Sequence, residues 1–170
     1  MQIMEVMKNF ILLLAAGILI SLCGCSRKNH QQTMSEQTSA SIFSKGERLP
    51  ASYFSGDAFL YPLVSKDKNN EFALGSVTFE PGARTYWHTH PKGQVLIVTE
   101  GEGFTQERGK PARALKKGDV VNIAENTEHW HGASANRKLV HIAIANYKGN
   151  ENVVWLQPVT EQEYNQVNQK

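Results

Sequence analysis

The chain has only two cysteines, Cys23 and Cys25, and both fall near its start. With a leader removed before Cys25, no second thiol remains and no intramolecular disulfide can form, whatever the redox compartment. An excess of one charge is also missing. The 18 basic and 16 acidic residues leave a net charge of +2, and no basic stripe runs through the chain, which argues against a nucleic-acid partner. A membrane-spanning segment is lacking as well: the apolar run from Phe10 to Leu22 is about 13 residues long, and a spanning helix needs about 20. No internal repeat occurs, so the 170 residues hold one module with one core. Apolar residues at 41% and charged residues at 20% are ordinary for a globular domain.

The short apolar run is preceded by Lys8 and followed by Cys23-Gly24-Cys25-Ser26, the anatomy of an export signal. Leu22-Cys23-Gly24-Cys25 resembles a bacterial lipobox, with Cys25 as the residue to be acylated. Met7-Lys8-Asn9 makes a more typical start for such a leader than Met1. The expected organisation is a signal peptide over residues 1–24, a disordered tether over 25–45 rich in Gln, Ser, Thr and Asn, and a folded domain over 46–170. The expected location is outside the cytoplasm on a membrane anchor, on the periplasmic or outer-membrane side if the source is Gram-negative.

Beyond the tether the pattern is that of short strands. Ala73, Gly75, Val77 and Phe79 alternate with Leu74, Ser76 and Thr78, so the first set shares one face. Turn signals at Glu80-Pro81-Gly82, Pro91-Lys92-Gly93, Arg108-Gly109-Lys110-Pro111, Lys117-Gly118-Asp119 and Ser134-Ala135-Asn136 separate further runs. Those runs are Gln94 to Thr99, Gly103 to Glu107, Val120 to Ala124, His129 to Ala133, Leu139 to Asn146 and Val153 to Leu156. Such spacing predicts an all-β antiparallel sandwich or barrel. Only the C-terminus looks helical: Thr160 with Glu163 three residues on is a capping-box signature.

Chemistry concentrates in the histidines. Five of the six fall in two clusters, His88 with His90, and His129 and His131 with His141. Residues i and i+2 of a strand share a face, so each His-X-His pair projects together. The Pro91-Lys92-Gly93 turn lets Gln94 reach back to the first pair. A hairpin centred on Asn136 would set His141 opposite His131. Several imidazoles in one interior are costly unless they are hydrogen-bonded or bind something, and a metal is the simplest common partner.

The spacing resembles the cupin motifs. Gly82, five residues, His88-Thr89-His90, three residues, Gln94, six residues and Gly101 follows the first motif, with Gln94 at its usual Glu position. Gly118, ten residues and His129 follows the second, with Ala124 and Asn126 in place of its usual Pro and Gly. Over roughly residues 46 to 165 this implies a jelly-roll β-barrel with a short C-terminal helix, and a metal held by His88, His90, Gln94 and His129. The blocks Ser76 to Thr85, Trp87 to Pro91, Gly93-Gln94 and His129 to Ala133, with His141, resemble a narrower subgroup. It is the carboxymuconolactone-decarboxylase-associated cupins, which include manganese-dependent hydroxynitrile lyases. There the positions of His131 and His141 line the pocket.

Three neutral imidazoles and an amide leave a divalent ion its full charge, so the expected centre is a Lewis acid; the resemblance implies manganese first, and imidazole ligands leave iron or zinc as alternatives. His131 and His141 are the expected catalytic acid and base, since an imidazole titrates near neutrality; otherwise they are core histidines bonding each other or Tyr86. The function that follows is a metal-dependent, lyase-like enzyme acting on a small hydroxy or carbonyl compound. An iron-dependent cupin dioxygenase and a non-catalytic metal or small-ligand binding lipoprotein are the alternatives. Arg84 is expected in a structural salt bridge. Gly75, Val77 and Ala145 are expected to leave room for a ligand. Trp87, Trp130 and Trp155 are candidates for an apolar face on which copies associate as a dimer or tetramer.

Overall fold

One long strand organises the domain. The computed structural model describes residues 41–168; the leader, Cys25 and most of the tether lie outside them. β7 (Gln94–Glu107) runs for 14 residues through both halves of a curled antiparallel sheet. Its first half pairs with β9 (Val120–Ile123) and β11 (Leu139–Asn146). Its second half pairs with β8 (Arg113–Lys116) and β10 (His129–Ala133). The two strands expected over Gln94 to Thr99 and Gly103 to Glu107 are therefore one, bent at Gly101. There φ is +78°, and a Cβ would lie 1.9 Å from the carbonyl oxygen of Lys138, so only glycine fits. Across the bend the inward-facing set changes from Gln94, Leu96 and Val98 to Gly103 and Thr105. A register shift between Val140 and His141 in the neighbouring strand matches it.

The first half-sheet continues from β11 to β4 (Phe72–Phe79), β3 (Ala58–Val64) and β1 (Glu47–Arg48). The second continues from β10 to β5 (Arg84–Thr85) and β2 (Phe54–Ser55), and to β6 (His88–Thr89) and β12 (Val154–Trp155). Phe79, Leu96, Val98, Leu115, Ile123 and Leu139 fill the space between them.

The expected hairpin between His131 and His141 does not form. His131 pairs with Thr105 of β7, while His141 lies between Val77 of β4 and Val98 of β7. The two strands belong to opposite half-sheets, and the rings meet across the interior at a centroid distance of 4.9 Å.

The helix α1 (Glu161–Asn168) starts at the predicted capping box. Thr160 N donates to Glu163 Oε2 at 2.8 Å and Glu163 N donates to Thr160 Oγ1 at 3.1 Å. It covers the outer face of the second half-sheet, where Trp87, Trp130, Val159 and Tyr164 form a second buried cluster. Arg84, itself buried, donates to Glu161 Oε1 at 2.6 Å and lies over the Tyr164 ring at 4.3 Å, the structural ion pair expected of it. Trp87 and Trp130 are thus sealed by their own C-terminus and offer no exposed face, which corrects their candidacy as an association surface.

Candidate metal centre

The half-barrel brings all six expected site residues to one place. β6 carries His88, the turn after it carries His90, β7 begins with Gln94, β10 supplies His129 and His131, and β11 supplies His141. Gly93 allows the tight return from His90 to Gln94: its φ is +72°, and a Cβ would come within 2.7 Å of the Ile123 carbonyl oxygen. Asn126, standing where the second motif usually has glycine, adopts φ +57° and donates its N–H to the His90 carbonyl at 2.9 Å. Asparagine tolerates that left-handed conformation, so the departure from the motif preserves the turn.

Backbone carbonyls fix the tautomers. His88 Nδ1 donates to Tyr86 O at 2.9 Å, His129 Nδ1 donates to Thr127 O at 2.9 Å, and His90 Nδ1 donates to Asn152 O. Each ring is left with its Nε2 lone pair free for a ligand. The His88 and His129 centroids are 4.2 Å apart, those of His88 and His90 5.1 Å, and those of His90 and His129 5.6 Å. The ligating atoms of His88, His129 and His131 all lie within 4.8 Å of one another. Gln94 Oε1 is 3.2 Å from His129 Nε2. Unless the amide turns its nitrogen inward, two acceptors face each other there, an arrangement that a shared cation satisfies.

Among the described residues, His90 Nε2 and both ring nitrogens of His131 and His141 are buried without hydrogen-bond partners. Tyr86, the other candidate partner, donates its hydroxyl to Ala51 O instead. Each buried unpaired group costs about 1–3 kcal/mol, and five of them at one spot fit a site built to bind. The donor set is the imidazole and amide chemistry that suits a divalent first-row ion.

Burial first, then the neighbouring imidazoles, holds His88 and His131 well below the usual histidine range. Burial also lowers His90, against the opposing bond to Asn152. It brings His129 to about 4, opposed by its bond to Thr127, and His141 to about 4, opposed by the backbone of Ile142. The five rings are therefore neutral at pH 7, ready to ligate or to accept a proton. The expectation that His131 and His141 titrate near neutrality does not survive their burial.

Above the histidines opens a cavity of about 490 Å³. His88, His90, Gln94, His131 and His141 line it, as do Gly75, Val77 and Ala145, whose small side chains leave the space as expected. Fully buried His129 stands behind that lining. Trp155 also lines the cavity. Its indole packs on the His88 ring at 4.9 Å and stacks on Tyr53 at 4.9 Å. From the sequence Trp155 is expected as core or as part of an association face, not as a cavity wall, and nothing there signals Asn152, because it acts through a backbone carbonyl that every residue possesses.

Comparison with known proteins agrees with this geometry. A cupin-domain family model matches residues 75–144. An (R)-mandelonitrile lyase from Granulicella tundricola is 43% identical over 115 residues, spanning 68% of this chain and 88% of that protein. A cupin-like protein from Thermotoga maritima, solved crystallographically, shares 50% identity with a TM-score of 0.71, covering 75% of this chain and 96% of that one. A DMSP lyase from Ruegeria pomeroyi, at 21% identity and a TM-score of 0.53 over 71% of this chain and 62% of its own, shares the fold. With 43% identity carried across 88% of a relative's length, the chain belongs to the cupin family.

Proposed function

We propose that the protein is a metal-dependent enzyme of lyase type, acting on a small hydroxy or carbonyl compound whose apolar body fills the cavity. The observation that carries this is the set of buried, unpartnered imidazole nitrogens at the base of a largely apolar pocket. The mandelonitrile lyase relative supports a cyanohydrin as the first substrate to try.

The ligands in this proposal are His88, His90, Gln94 and His129, with manganese as the ion and iron or zinc as alternatives. His131, grouped with His88 and His129 by distance, is the competing ligand. Bound there, a divalent ion supplies Lewis-acid polarisation of a hydroxyl or carbonyl oxygen. The residues do the rest. A neutral ring nitrogen of His131 or His141 accepts the substrate's hydroxyl proton. The carbonyl forms as the carbon–nitrile bond breaks, and the departing cyanide takes the proton up as hydrogen cyanide. Phe79 packs against both rings, at 5.7 Å from His131 and 5.6 Å from His141 between ring centroids. Attachment to a membrane through a lipid on Cys25 remains part of the proposal, as does self-association.

The test uses the full-length chain loaded with Mn(II), with benzaldehyde release from (R)-mandelonitrile as the readout. His131→Ala or His141→Ala should retain the metal and lose about 10²- to 10⁴-fold in rate. His88→Ala, His90→Ala and His129→Ala should each lose most of the metal. Full rate in both of the first pair refutes the proton-transfer roles. Full metal occupancy in all three of the second group refutes the ligand set, and loss of metal in His131→Ala but not His90→Ala reassigns the ligand.

A further inference from the structure

Residues 147–157 lie beyond the segment matched by the family model, yet they touch two of the proposed ligands. We infer that this segment is a strap belonging to the metal centre, holding the rings of His88 and His90 in ligating orientation, with Trp155 as a positioning residue. The inference rests on the metal-binding proposal above.

Four observations converge on it. First, the Asn152 carbonyl accepts the proton of His90 Nδ1. That leaves Nε2 as the nitrogen of His90 able to ligate, and Nε2 is buried without any other partner. Second, β12 pairs with β6 so that Trp155 stands opposite His88 and Val154 opposite Thr89. Leu156 N donates to Trp87 O at 2.9 Å and Trp87 N to Gln157 O at 3.0 Å, closing the same ladder around the histidine strand. Third, the Trp155 indole lies against the His88 ring and is braced from behind by Tyr53 and Phe54, at centroid distances of 4.9 and 5.3 Å. His88 is thus held by Tyr86 O at one nitrogen and by an aromatic wall along its ring. Fourth, the other end of the strap is tied to β3's side of the cavity. Lys66 Nζ donates to Gly149 O and lies 4.8 Å from the Tyr147 ring, and an isolated bridge joins Lys148 to Glu151.

Partners of this kind fix ring orientation and tautomer, and their loss typically weakens a metal site about 10- to 100-fold. The local consequence is specific. Without the strap His90 is free to rotate and to present either nitrogen, and His88 loses the wall that prevents its ring from turning about its Cβ–Cγ bond.

The experiment loads the full chain with Co(II), whose visible absorption reports the ligand geometry directly. Trp155→Ala should weaken Co(II) binding by about 10- to 100-fold and change the absorption bands, while Trp155→Phe should restore both through its remaining aromatic face. Unchanged affinity and spectrum in a folded Trp155→Ala overturn the inference, as does failure of Trp155→Phe to restore them. Should Trp155→Ala not fold, Lys66→Ala decides: it frees the Gly149 end at the rim, and an unaltered Co(II) spectrum and affinity there also overturn it. A wild-type chain that takes up no Co(II), Mn(II) or Zn(II) refutes the metal proposal itself and the strap's role with it. Loss confined to the variants isolates the strap.

Discussion

Acid should unfold the metal-free protein far earlier than its carboxylates alone would require. His129 and His141 are each held near pH 4 in the folded chain, against about 6.5 when unfolded. Between those values the unfolded chain binds a proton at each ring and the folded chain does not, so stability rises with pH across this window. The contribution is fully present above about pH 6.5 and is lost as the pH falls toward 4. A difference of about 2.5 units, at about 1.36 kcal/mol per unit, is about 3 kcal/mol for each ring. The two together approach a large part of the roughly 5–15 kcal/mol that holds a domain folded. His88, His90 and His131 shift in the same direction, so the pair sets a lower bound. The lowered carboxyls of Asp67, Asp119 and Glu163 act in more acidic solution and leave the window clear. Urea unfolding of chelator-treated protein at several pH values from 7.5 to 5 should show stability falling with pH, the slope from these two rings steepening from about 1 kcal/mol per pH unit at 6.5 to about 2 near pH 5. His141→Leu should remove about half of that two-ring slope, about 1 kcal/mol per unit near pH 5. A flat stability profile from pH 7 to 5 would refute both the burial of these rings and their neutrality.

Gln94→Glu should bind Mn(II) at least as tightly, because a carboxylate replaces an amide, while the rate on (R)-mandelonitrile falls with the lost positive charge; a rise in rate would favour an iron oxygenase. Cells making Cys25→Ser should lose the acylated form by mass or lipid labelling, whereas Cys23→Ser should keep it, and the reverse result moves the anchor to Cys23. Light scattering at micromolar concentration should find at least a dimer, and a monomer would end that expectation.

The short-range features were legible in the chain itself. Alternation placed Ala73, Gly75, Val77 and Phe79 on one face, and all four line the cavity. The i, i+2 rule paired His88 with His90 and His129 with His131, and the Thr160–Glu163 box started the helix where it was expected. β3 is silent in the sequence, because Ala58–Val64 lacks alternation and contains Pro62, which is tolerated near a sheet edge but gives no strand signal. The gap between the runs Gln94 to Thr99 and Gly103 to Glu107 is a bend at Gly101 within one strand.

What only the tertiary structure decided is which strands face and which pair. His131 and His141 were brought together by the sequence pattern for the wrong reason, as hairpin neighbours, when they meet across two half-sheets. Local periodicity reports which face a side chain takes, but the facing partner depends on how the whole sheet curls. The depth that holds these imidazoles neutral is likewise a property of the closed half-barrel, as is the carbonyl of Asn152 against His90. Every residue carries such a carbonyl, so the chain folded back on itself is the first place its role becomes visible.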